Sequence, residues 1–168
     1  MPNWCSNNIS ISHENPEMVA RVKTAIDKNN LFGEFVPLSN TEWEYFDAMQ
    51  TWGTKWEASS IDIMNEAATG LDLMFDTAWG PPIKFYDKMT ELGFNIDARY
   101  HEPGMCFAGH YNSTDGDTIY EYDFSDEDWK TGIDDEDVLD MLEAEYEVYE
   151  QMNGEQEDDD EDNDIQQT

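Results

Sequence analysis

The residues with which this chain could do chemistry are six tryptophans, three histidines, two cysteines and 40 carboxylates. Cys5 and Cys106 stand far apart in sequence, and neither belongs to a C-x-x-C pair. His13, His101 and His110 are scattered and miss metal-ligand spacing. No zinc site is expected, and both cysteines read as small, reduced residues of a cytosolic chain. Trp4, Trp52, Trp56 and Trp79 leave two readings open. With Lys55 and Glu102 they could wall a pocket of stacking faces, one cation and one acid. Alternatively the rings fill the core, Asn3, Asn7 and Asn8 satisfy backbone in tight turns, and Lys55 pairs with Glu57 or Glu102. Glu102, beside His101 and before Pro103 and Gly104, is the acid best placed for acid–base work. No nucleophile elbow, phosphate-cradling glycine loop or H-E-x-x-H motif accompanies it, so no catalytic activity is expected. The oxygen-rich runs 113–117 and 125–128 do not follow the calcium-loop pattern, and no metal or cofactor is expected.

The formal net charge is −32 over 168 residues, of which 39% are apolar. Phosphates need cations to release their counterions, so binding nucleic acid directly through a broad basic face is excluded. The same sign argues against docking on anionic lipid. No window approaches 18 uncharged apolar residues, and no membrane span is expected. The start, MPNWCSNNIS, lacks the basic and apolar regions of a signal peptide, which reads as a cytoplasmic protein.

The charge is unevenly placed. Residues 1–112 hold 16 acids and 7 bases, whereas residues 113–168 hold 24 acids and Lys130 alone. Residues 154–168 form a like-charge block with almost nothing to bury, for which disorder is expected. The segment before it differs, because Val138, Leu142, Tyr146, Tyr149 and Met152 recur at helical spacing over 134–152. Asp134, Asp135, Glu136 and Asp137 suit its cap and first turn, and Gly154 suits its stop. Nine acids fall within 134–150. At a rise of about 1.5 Å per residue that is roughly one charge per 2.8 Å of axis. One DNA strand carries a charge about every 3.4 Å and the duplex one about every 1.7 Å.

The elements that must position these groups follow from periodicity and turn chemistry. Residues 8–12 alternate like a half-buried strand, and Asn15 with Pro16 opens a helix to about Lys28. Residues 32–38 read as a short extended stretch halted by Pro37, and 41–50 as a small helix. Residues 61–64 and 71–75 form a hairpin, and Pro81 and Pro82 open a helix that Gly93 closes. Residues 94–100 and 105–111 pair across Glu102, Pro103 and Gly104. Tyr120, Tyr122 and Phe124 alternate with acids as a strand running into an acidic turn. This order predicts an α+β fold: a ferredoxin-like antiparallel sheet packed with two helices, plus an acidic C-terminal helix and tail. The expected organisation is a ferredoxin-like domain over 1–124, an acidic turn and helix over 125–153, and a disordered tail over 154–168.

Several motifs run in a specific order: Met1-Pro2-Asn3-Trp4-Cys5 with Asn7-Asn8, Trp52-Gly53-Thr54-Lys55-Trp56, Phe75 to Trp79 with Pro81-Pro82, and Tyr100 to Gly104 before Phe107-Ala108-Gly109. Over residues 1–112 the chain resembles phage- and plasmid-encoded proteins with a YubB-type ferredoxin-like domain. The resemblance implies the fold and a mobile-element origin, and it brings no catalytic residues, since the family has no established activity.

The function expected is that of a phage-encoded acidic interaction protein. It would mimic nucleic-acid charge and inhibit a host protein with a basic nucleic-acid-binding groove, in restriction, CRISPR, nucleoid or transcription machinery. Asp126, Glu127, Asp128, Asp137, Asp140, Glu143, Glu147 and Glu150 would meet that groove, with Trp129, Tyr146 and Tyr149 as anchors. The competing expectation is a small-molecule or nucleotide-binding module built on the tryptophan-rich core.

Overall fold

The computed structural model describes the backbone of residues 1–165 and side chains through Gly154. The elements in order are β1 Trp4–Ser12, α1 Pro16–Asp27, α2 Leu31–Phe35, α3 Tyr45–Thr51, β2 Ser59–Ala67, β3 Gly70–Ala78, α4 Ile83–Glu91, β4 Asn95–Glu102, β5 Phe107–Asn112, β6 Gly116–Glu121 and α5 Glu136–Ile165. They divide into two compact units, Met1–Glu121 and Tyr122–Thr168. No helix among the described residues is long and apolar enough to cross a membrane.

In the first unit six strands pair antiparallel in the order β2-β3-β1-β4-β5-β6. The first four strands make the ferredoxin-like arrangement, and β5 and β6 extend it as a meander. In β1 the residues Cys5, Asn7, Ile9 and Ile11 are buried, while Trp4, Ser6, Asn8 and Ser10 are exposed. Ile9 and Ile11 meet Leu71, Leu73 and Phe75 of β3, Ile96 and Ala98 of β4, and Val19, Val22, Phe85 and Met89 of α1 and α4 in one core. The cap of α1 forms as expected: the Asn15 side-chain oxygen accepts from the Glu17 N–H at 3.0 Å, with Pro16 behind it. Gly93, at φ 92, closes α4 in the left-handed region where a Cβ would be strained.

Two readings of the first unit need correcting. Residues 32–38 are not an extended stretch, because 31–35 form the helical turn α2. Its N–H groups at Phe32 and Gly33 donate to the Glu57 carboxylate at 2.6 and 3.1 Å, a partner distant in sequence. Asn7 is not a turn residue either. It sits mid-strand, its amide donating to Thr77 Oγ1 at 2.8 Å and Cys5 O at 3.1 Å, while its oxygen accepts from Tyr86 OH at 3.2 Å.

In the second unit α5 begins beside Asp135, whose carboxylate accepts from the Val138 N–H at 3.0 Å. Phe124 lies 4.5 Å from Tyr122, 5.0 Å from Trp129, 5.4 Å from Tyr146 and 5.6 Å from Tyr149, centroid to centroid. Gly154 does not stop the helix, whose backbone runs on to Ile165. Side chains from 155 on and residues 166–168, where most of the expected disordered tail falls, lie outside the described residues.

Phe32 is the hub of the first unit's core, with ring centroids 4.5 Å from Phe85, 5.6 Å from Trp52 and 6.0 Å from Phe75. Phe32→Ala is expected to lower stability by about 3–5 kcal/mol in denaturant unfolding.

Candidate functional site

Two constellations emerge, one in each unit. In the first unit a cleft of about 560 Å³ is lined by Trp4, Trp43, Trp52, Trp56, Glu57 and Ser59 among others. Trp4 is 41% exposed, Trp43 49% and Trp56 36%. The expectation that Trp4, Trp56 and Trp79 fill the core is therefore overturned; Trp79 is 50% exposed. Trp4 is exposed because it is in phase with Ser6 and Asn8 on the sheet face opposite the helices. Trp52 alone of the four is core, its indole donating to Val36 O at 2.7 Å.

Neither Trp79 nor Glu102 lines the cleft. Trp79 takes a left-handed φ of 70, its N–H donating to Asn3 O at 2.8 Å. Glu102 is fully buried and accepts from Gly104 N at 2.6 Å and Met105 N at 3.0 Å, so both of its oxygens shape the turn between β4 and β5. Lys55 does not meet Glu57 or Glu102 as expected. Its ammonium sits over the Trp56 ring, 4.3 Å from the centroid. Sequence reasoning missed Trp43, whose indole donates to Lys55 O at 2.9 Å. Its spacing in Glu42-Trp43-Glu44 was the available signal, since a ring between two acids does not suit a core.

Glu57 forms the floor of the cleft, and it too was missed as a structural group. Burial raises its carboxyl above the usual glutamate range, while N–H groups of Phe32, Gly33 and Ala58 pull the other way. The thiol of Cys5, buried beneath the sheet, is pushed up to about 12, first by burial and then by the Glu102 charge. It is a poor nucleophile at neutral pH. Cys106 is also a free thiol, half-buried in the turn before β5. His13 accepts from the Asn15 N–H at 3.0 Å, and His110 lies 2.9 Å from Asp97. No group of three or more potential metal ligands occurs among the described residues.

The second constellation is a row of carboxylates. Glu136, Asp140, Glu143, Glu147 and Glu150 follow one another at intervals of four, three, four and three residues, which keeps them on one side of α5. Val138 and Leu142, both buried, lie on another side. Asp137, Asp140, Glu147 and Glu150 are exposed, as are Asp126, Glu127 and Asp128 in the turn before the helix. Glu143 differs from expectation: it is half-buried and paired with Lys130, the sole cation of residues 113–168. Trp129 is buried against Phe124 and Tyr146 and offers no free anchor, whereas Tyr146 and Tyr149 are half-exposed. The Tyr146 hydroxyl donates to Glu150 at 2.7 Å.

An antiparallel ferredoxin-like sheet with helices on one face defines the first unit as an α+β ferredoxin-like domain. Residues 51–143 match the family described as the ferredoxin-like domain in Api92-like protein, and the chain belongs to that family. No curated protein matches. Among solved structures, the protein api92 from Yersinia pseudotuberculosis is similar at 18% identity, over 56% of this chain and 40% of that one, with a TM-score of 0.41. The match thus spans less than half of the api92 chain.

A carboxyl held above its unfolded value binds more protons in the folded state. The stability linked to Glu57 is therefore greatest at low pH and falls as pH rises through the interval between the unfolded and folded values. Denaturant melts in a pH series should show this component, and Glu57→Gln should remove it. Glu102→Gln, which turns an amide NH2 donor toward one of the two backbone N–H groups, should cost about 1–3 kcal/mol by the same measurement.

Proposed function

We propose that this chain is a non-enzymatic, acidic interaction protein of phage or plasmid origin, acting in the host cytoplasm. Its C-terminal unit would present the charge of a nucleic-acid backbone to a basic groove of a host nucleic-acid-binding protein and so inhibit it. The observation that carries this reading is the one-sided carboxylate row on α5. Five acids over fourteen residue steps span about 21 Å, roughly one per 5 Å of axis. Each adjacent like-charge pair costs the helix about 0.2–0.5 kcal/mol. Among the described residues of this row, only Glu143 has an ion pair, with Lys130. A lysine- or arginine-lined groove would relieve that repulsion on binding and accelerate encounter. Tyr146 and Tyr149, half-exposed at the far end of the row, would add apolar contact to the charge.

The test starts from a host protein retained by the full chain at low salt. Its affinity should fall steeply with salt, and duplex DNA should displace it. Asp140→Lys with Glu147→Lys and Glu150→Lys should weaken association at least about tenfold while shifting stability by only about 0.5 kcal/mol per site. A partner that binds DNA and this chain together, or that ignores the triple reversal, would sink the reading.

A further inference from the structure

The tryptophan cleft of the first unit lies outside the reading of α5 and needs its own account. We propose that it binds the cationic side chain of a basic polypeptide, arginine foremost, by stacking the guanidinium against the exposed indoles.

Soluble surfaces expose large rings singly, and three half-exposed tryptophans around one cleft are a concentration that calls for a ligand. Trp4 and Trp56 stand 6.4 Å apart, centroid to centroid, with their planes inclined at 43°, a tilted pair that together borders the cleft. A planar, weakly hydrated guanidinium stacks on an exposed indole face better than a compact ammonium does. The acids beside the rings select the sign of the guest. Glu57 lines the cleft, and Trp43 also borders a second hollow lined by Asn40, Thr41, Glu42 and Glu44. An anionic nucleotide would meet those carboxylates, and the one lysine present is already engaged on Trp56.

That lysine is itself the most direct observation. The chain places its own cation on the face of Trp56, which demonstrates in the same molecule the contact that the cleft would make with a guest. Lys55 therefore repels an incoming cation at the ring it accompanies. A neutral sugar would also stack on indole, but it would be indifferent to the charge at residue 55.

The probe is N-acetyl-arginine methylamide, with N-acetyl-citrulline methylamide as its neutral counterpart, titrated into the full chain while the indole N–H resonances are followed. The arginine probe should shift the Trp4, Trp43 and Trp56 signals saturably, and the citrulline probe should not. Trp43→Ala, at an exposed position, should weaken binding about fivefold or more, and Lys55→Gln should strengthen it about threefold by removing the resident cation. The triple charge reversal on α5 should leave probe binding unchanged, which separates this proposal from the reading of that helix. Equal binding of citrulline, stronger binding of adenosine monophosphate or cellohexaose, weaker arginine binding by Lys55→Gln, or loss of binding on reversal of α5 would each overturn it.

Discussion

The alternation of β1 is the constraint on which the first unit depends. A strand shows successive side chains to opposite faces, so one choice of phase decides the environment of nine residues together. Ile9 and Ile11 must face the helices, and that choice also sends Cys5 and Asn7 inward. Trp4, Ser6, Asn8 and Ser10 have to face the other way. A large indole at the start of the central strand is thus held at the surface by the apolar residues further along it. β3 and β4 are paired to β1 in fixed register and inherit the same two faces. A one-residue slip would exchange the core with the polar face, and the packing of Phe32, Phe75 and Phe85 opposes it.

The inward phase brings polar groups into the core, and each is matched by a partner that the fold delivers. Asn7 is bracketed by Thr77 and Tyr86, Glu102 by the two N–H groups of its own turn, and Glu57 by the N–H groups of α2 and Ala58. Buried polar atoms without such partners cost more than the bonds contribute when made. Glu102, the acid whose sequence context suggested acid–base chemistry, is consequently occupied in holding backbone.

The second unit sets a different balance. Its helix accumulates like charges along one side and offsets them with one lysine and an aromatic cluster centred on Phe124. The rings provide directionless apolar attachment and the carboxylates provide a field. The family to which the chain belongs is defined by its ferredoxin-like domain, and the carboxylate row reaches beyond the matched residues, which end at 143.

Much of this was legible in the sequence. Alternation in 8–12, the Asn15–Pro16 cap, the 67–70 hairpin, the double proline before α4 and the helical spacing of Val138 and Leu142 are local signals, each involving neighbours within a few residues. The uneven distribution of charge was equally plain. Most of the positions misjudged share one property: their state is set by a residue distant in sequence. α2 forms against Glu57, Asn7 is satisfied from β3 and α4, and Glu143 is paired with Lys130, whereas Lys55 turns to the ring of its own neighbour Trp56. The tryptophans divide in the same way, because burial of a ring depends on which face of the sheet the helices cover. Periodicity can establish that two faces exist, and only tertiary packing decides which of them meets water.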